Sequence, residues 1–144
     1  MDKVNIMSDK PIQITEFDLR RLNKLLREAE HTDYRGSEYL AELRAELDRA
    51  QVVPSQTVPQ KVVTMNSIVV LLDPLTRKEE TYTLVFPEDA DIGQGKISIL
   101  APIGTAMLGC EVGDYFESKA PAGRRRMKVK RIIYQPEAAG DYHL

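Results

Sequence analysis

Asp33 and Glu38 stand five residues apart on either side of Tyr34-Arg35-Gly36-Ser37. A pair of acids at a protruding turn could share a Mg²⁺ ion with another macromolecule, with Arg35 between them as a cationic neighbour. The simpler reading is helix-end electrostatics. Glu38 follows Ser37, in a first helical turn where negative charge complements the unpaired backbone N–H groups. Glu88, Asp89 and Asp91 form a second acidic group. They read as a solvated loop, because a hard-cation site needs several oxygens at fixed spacing. Arg124-Arg125-Arg126, with Lys128 and Lys130, is the one basic cluster and could contact phosphates or an acidic protein surface. No aromatic residue interleaves with it to stack bases, so it does not read as a specific nucleic-acid platform. Ordinary protection of an edge strand is the other reading.

Nucleophilic and phosphate chemistry find little support. His31 and His143 have no nucleophile or orienting partner near them in sequence. Cys110 follows an expected helix end and precedes Glu111, so both the helix dipole and a carboxylate oppose a thiolate there. Gly93-Gln94-Gly95-Lys96 lacks the following helix that a phosphate-binding loop requires and reads as a turn. One cysteine and two histidines leave no internal disulfide and no basis for a structural zinc site. No metal, cofactor or small-molecule substrate is expected.

Charge and composition narrow the partners. The formal charge is −2 over 144 residues. Residues 1–53 hold 9 Lys/Arg against 11 Asp/Glu, and residues 54–144 hold 11 of each. Neither half is a basic module, so nucleic-acid contact is expected to be indirect or weak. No apolar run approaches the roughly 20 residues of a membrane helix, and the first residues lack a signal peptide's apolar core. A cytoplasmic location is the default expectation.

The elements that must position these residues change period near Val53. Leu19, Leu22, Leu26 and Ala29 make one helical stripe, and Leu40, Leu43, Leu47 and Ala50 make another. Thr15 with Asp18 is a capping pair for the first helix, and Gly36-Ser37 can turn the chain and cap the second. The pattern predicts an antiparallel helical hairpin, a short coiled coil, with helices of about 20–25 Å. It could pack on its own domain or project as an arm. Pro54 and Pro59 bracket a linker. Strands are then expected over Val62–Met65, Ile68–Leu72, Thr81–Phe86 and Ile97–Leu100, with a bulge or kink at Asn66-Ser67. Pro102 opens a short helix over Ile103 to Leu108, and Gly109 ends it. Tyr115–Lys119 and Met127–Tyr134 should close a hairpin around Ala120-Pro121-Ala122-Gly123, with Lys128 and Lys130 opposite Met127 and Val129. The class is α+β, with domains at 1–53 and 54–144 and a bent antiparallel sheet wrapped around one short helix.

The order of these elements resembles the GreA/GreB transcription elongation factors, with an N-terminal coiled coil and an FKBP-like C-terminal domain. Ile97-Ser98 through Gly109, then Val112-Gly113-Asp114, is similar to the family signature, and the likeness covers residues 60–135. Val63-Thr64-Met65-Asn66-Ser67, Ala101-Pro102-Ile103-Gly104, Ala45 to Gln51 and the run Tyr134 to Tyr142 resemble its short-armed branch, the regulators of nucleoside diphosphate kinase. The resemblance implies a non-enzymatic regulator that binds bacterial RNA polymerase at the rim of its secondary channel. The loop entering the short helix would make the contact through Leu100, Ala101, Pro102, Ile103 and Gly104, offering apolar side chains. Long-armed members carry an Asp and a Glu three residues apart at the tip, which help bind the catalytic Mg²⁺ for transcript cleavage. Here Asp33 could match the Asp, but Gly36 stands where the Glu would be. The implied factor therefore binds polymerase, does not stimulate cleavage, and competes with Gre factors. The alternatives are full cleavage stimulation, an FKBP-like peptidyl-prolyl isomerase, and direct regulation of a nucleotide kinase.

Overall fold

The leucine spacing produces the two helices it predicts. In the computed structural model, which describes residues 11–31, 38–120 and 123–144, α1 spans Glu16–Ala29 and α2 spans Glu38–Arg49. Thr15 caps α1 by accepting the Asp18 N–H at 3.0 Å. Leu22, Leu26 and Ala29 of α1 and Leu40, Leu43 and Leu47 of α2 are buried, while Leu19 and Ala50 lie half-buried at the margin. Each fully buried leucine contributes about 1.5–3 kcal/mol of transfer free energy. The Gly36-Ser37 turn and cap lie outside the described residues.

A feature absent from the sequence reading flanks this hairpin. Gln13–Thr15 (β1) and Gln51–Val53 (β2) pair in parallel as a two-stranded sheet, with Ile14 opposite Val52. Parallel pairing needs a long crossover, and the helical hairpin supplies it. The segment just before β1 is held from the other side. Gly109 has φ +79°, and a Cβ there would lie 2.3 Å from Cβ of Ile12. Only glycine permits both that backbone and that approach.

The second half of the chain forms a five-stranded sheet. Its strands are β3 (Ile68–Leu72), β4 (Glu79–Val85), β5 (Lys96–Ser98), β6 (Tyr115–Ala120) and β7 (Gly123–Tyr134), in the order β5-β4-β3-β7-β6. The sheet is mixed rather than wholly antiparallel, because β5 joins β4 in parallel after a detour through two 3₁₀ turns. Pairing of β3 with β7 slips twice, passing over Lys130 and Ile133, and such bulges add the twist that curls the sheet. The expected strand at Val62–Met65 does not form. Val62 makes one isolated bridge to Glu111, and the chain then kinks at Asn66, which has φ +68°. The kink is where the sequence placed it. The short helix α3 spans Pro102–Met107 and packs on β6 and α2. A final turn of helix, α4 (Pro136–Ala139), was not foreseen. One buried apolar cluster runs through both halves, from Ile14, Leu22 and Leu43 to Met65, Leu84, Met107 and Met127.

Candidate docking surface

The loop from β5 into α3 is stiff because nearly every polar group in it is used locally. The Ser98 hydroxyl accepts the Leu100 N–H at 3.0 Å, and the Ser98 carbonyl accepts the Ala101 N–H at 3.0 Å. The Thr105 hydroxyl donates to the Ile99 carbonyl at 2.6 Å, and the Thr105 N–H donates to the Ala101 carbonyl at 2.9 Å. Pro102 fixes φ at the first helical position, where its missing N–H costs nothing. Gly104 lies against the end of β5, and a Cβ there would sit 2.1 Å from the Ser98 carbonyl oxygen. The result is a rigid knuckle. Its exposed content differs from the expectation: Leu100 is 5% and Ile103 9% accessible, so these side chains anchor the loop inward. Ala101 and Pro102 are half-buried, and Ala101 packs against the apolar core, which leaves Pro102 as the principal accessible apolar residue of the loop.

Of the hairpin-tip residues, Asp33 and Arg35 lie outside the described residues, and Glu38 is described only as the first residue of α2. What is described bears on reach. Helices of 14 and 12 residues are about 21 and 18 Å long at 1.5 Å per residue.

The helical hairpin is joined to the sheet by a polar cluster that sequence reading missed. Asp18 does more than take part in a cap. Its N–H goes to Thr15, while its buried carboxylate accepts the Met65 N–H at 3.0 Å and the Arg21 guanidinium at 2.6 Å. Burial pushes the Asp18 carboxyl up to about 6, against the opposing pull of Met65 and Arg21. Arg21 also donates to the Leu144 carbonyl at 2.7 Å, and its guanidinium lies 3.9 Å from the ring centre of Phe17 and 4.7 Å from that of Phe86. Asn66, at the kink, donates to the same Leu144 oxygen at 2.6 Å.

Two further sets of buried hydrogen bonds satisfy Thr64, Ser67 and Glu137 on one hand and Gln135 on the other. The Thr64 hydroxyl donates to Glu137 at 2.7 Å and lies 3.0 Å from the Ser67 oxygen, which accepts the Thr64 N–H. A hydroxyl has one proton, so Ser67 donates to Thr64 and the chain of bonds is complete. Gln135 donates to the carbonyls of Pro59 and Val62 at 2.8 and 2.7 Å, and its side-chain oxygen accepts the Ala138 N–H at 3.1 Å to cap α4. Tyr134 donates to Asp141, which holds its phenol up at about 12.

The basic cluster occupies β7, as the alternation predicts, with Met127 and Val129 buried on one face. Most of its charge is already engaged. Arg125 reaches Glu80 at 3.0 Å and Asp73 at 3.8 Å, Lys130 pairs with Glu79, and Arg124 lies 3.3 Å from Glu117. Arg126 and Lys128 have no acidic partner among the described residues. Both lie over the ring of Tyr115, at 4.6 and 5.6 Å from its centre. The expectation that no aromatic residue accompanies the cluster is therefore corrected: Tyr115 comes from β6, directly opposite Lys128.

The remaining candidates stay apart. His31 is exposed at the end of α1. His143 lines a shallow cleft of about 370 Å³ with Arg21, Lys24 and Phe86. Cys110 is a buried thiol whose Sγ lies 3.4 Å from the Ala106 carbonyl oxygen. Asp91 accepts the Gly93 N–H at 3.1 Å and caps a 3₁₀ turn that ends at left-handed Gly95, so Gly93–Lys96 is a turn. Among the described residues no group of three or more His, Cys, Asp or Glu could hold a metal ion, and no helix is long and apolar enough to cross a membrane.

Against known proteins, residues 58–134 match the family described as transcription elongation factor, GreA/GreB, C-term, and residues 10–53 match the Rnk N-terminus. A "Regulator of nucleoside diphosphate kinase" from Escherichia coli K12 is 39% identical over 139 residues, spanning 96% of this chain and all of that protein. A "Transcription elongation factor GreA" from Desulfotalea psychrophila is 41% identical over 93 residues, 65% of this chain and 58% of that one. Among solved structures, a prokaryotic transcription elongation factor GreA/GreB from Nitrosomonas europaea superposes with a TM-score of 0.72 at 40% identity, covering 85% of this chain and 99% of that one.

Proposed function

The chain belongs to the GreA/GreB family of transcription factors, and on that premise we propose that it binds bacterial RNA polymerase at the rim of the secondary channel without stimulating transcript cleavage. The family is one of regulatory factors, not classical enzymes, and the activity proposed is occupancy. Residues 54–144, as an FKBP-like body, grip the polymerase, and residues 1–53 form the short arm.

The observation that carries this reading is the knuckle at Leu100–Gly104. Its backbone is fixed by local hydrogen bonds, and it leaves Pro102 half-buried at a bend braced by Gly104 against Ser98. A rigid, weakly polar projection loses little entropy on docking and suits a modest protein interface. The loss of cleavage follows from the arm. Helices of 14 and 12 residues, about 20 Å long, make a short arm beside the long arm that the resemblance associates with cleavage. The tip also has Gly36 where a cleavage factor would need a second acid. Rim occupancy without cleavage makes the protein a competitor of long-armed factors and places it in the cytoplasm with its partner.

The deciding experiment is a pull-down with core polymerase, then displacement by a long-armed GreA, then addition to a backtracked complex with Mg²⁺. Retention, mutual displacement and no shortening of the transcript are expected. Shortening would return the chain to the cleavage factors. Retention of a nucleoside diphosphate kinase but not polymerase would favour the direct kinase reading suggested by the name of the Escherichia coli relative.

A further inference from the structure

We propose that the outward face of the β6–β7 hairpin is a binding surface for single-stranded nucleic acid, with Arg124, Arg126 and Lys128 on the phosphates and Tyr115 as a base-stacking platform. This rests on the hairpin alone and not on the polymerase reading. Strand alternation sets Arg124, Arg126 and Lys128 on one face, opposite buried Met127 and Val129. Their spacing of two residues corresponds to about 6.7 Å along the strand, a regular row of cations suited to an extended sugar–phosphate backbone.

The distribution of acids decides which cations are available. Asp73, Glu79 and Glu80 neutralise Arg125 and Lys130, on the side toward β3 and β4. Toward the hairpin turn, among the described residues, Glu117 counters the row from its position opposite Arg126, and the Arg124 side chain that it pairs with remains 70% exposed. Arg126 and Lys128 are held by a π-face, which orients a cation without cancelling its charge. Tyr115 is 37% accessible on β6, an edge strand of the sheet. An acidic polypeptide would use the cations and gain little from the ring. An unpaired base would use both, stacking on the Arg126 guanidinium plane or taking its place over the Tyr115 ring. With about three phosphates engaged, the contact is weak and steeply salt-dependent, which is compatible with the chain's net charge of −2.

The test is fluorescence anisotropy with a labelled mixed-sequence RNA of about 15 nucleotides, its duplex, and polyglutamate of similar charge, between 50 and 200 mM salt. The single strand should bind with a Kd on the order of 10⁻⁵ M at low salt and a log–log salt slope near −2. Arg126→Gln with Lys128→Gln should weaken binding at least tenfold, and Tyr115→Ala about fivefold, while Tyr115→Phe stays within twofold. If the double variant fails to fold, Arg126→Gln alone should cost about threefold. Absence of binding, equal affinity for polyglutamate, indifference to Tyr115→Ala, or an equal loss on Lys24→Gln in the arm would each overturn the proposal.

Discussion

The Asp18 carboxylate accepts the Met65 backbone N–H at 3.0 Å, and that bond fastens the first turn of α1 to the chain entering β3. The same carboxylate holds Arg21 against Phe17 and Phe86. Asp18→Ala removes both partners' acceptor and leaves a partly buried guanidinium and a buried N–H, at a cost of about 3 kcal/mol. Asp18→Asn keeps an acceptor for Met65 and should cost roughly half as much. Urea unfolding of the two variants checks the order.

The same residue sets a pH dependence. Burial raises the Asp18 carboxyl to about 6 in the folded chain, from an ordinary value near 3.8. Between those values the folded state holds a proton that the unfolded state has released, so stability from this residue falls as pH rises through about 4 to 6 and is flat above. The span is worth on the order of 3 kcal/mol. Wild type should lose stability relative to Asp18→Asn between pH 4.5 and 7, measured as the difference in urea midpoints. A difference that stays constant, or grows in favour of wild type, would contradict the assignment.

Gly104 has no room for a methyl group, because the obstacle is the backbone oxygen of Ser98, not a flexible side chain. Gly104→Ala should destabilise the protein by about 1–3 kcal/mol and shift the knuckle. Its effect on polymerase binding should therefore exceed that of Ala106→Gly, which only loosens the same helix. Melting temperature and binding, measured on both variants, separate the two effects.

Thr64→Val leaves the buried Glu137 without the hydroxyl that donates to it and breaks the Ser67 relay. A hydrogen bond to a charged group is worth about 1.5–3 kcal/mol, and the loss should fall in that range. Glu137→Gln can still accept from Thr64 and should lose less. Chemical denaturation of the pair gives the comparison.

How much of this was legible in the sequence follows from how local each signal is. The leucine stripes, Thr15, the Asn66 kink, and Pro102 with Gly109 act over three to seven residues, and each fell where expected. β1 and β2 are three residues each and exist only because the helical hairpin brings Gln13 beside Gln51, so no local period announces them. The strand expected at Val62–Met65 is apolar for another reason: Val62, Val63 and Met65 are core residues of a kinked segment. Pro136 and Gly140 did bracket α4 in the way that helix ends are usually marked, and its four residues were too short to carry a stripe. At the knuckle, the burial of Leu100 and Ile103 depends on the tertiary packing of β5 and α3, which no local pattern announces. Tyr115 and the basic strand met only through hairpin register, which placed an aromatic ring 13 residues away in sequence beside Lys128.

If the knuckle grips polymerase, Pro102→Glu should break the contact. Pro102 is half-buried at the first turn of α3, where glutamate is also compatible with a helix N-terminus. The folded protein should keep its melting temperature while its affinity for core polymerase falls by about thirtyfold, the scale of an interface hot spot near 2 kcal/mol. Unchanged affinity in a folded Pro102→Glu variant would contradict the account and move the contact elsewhere on the molecule.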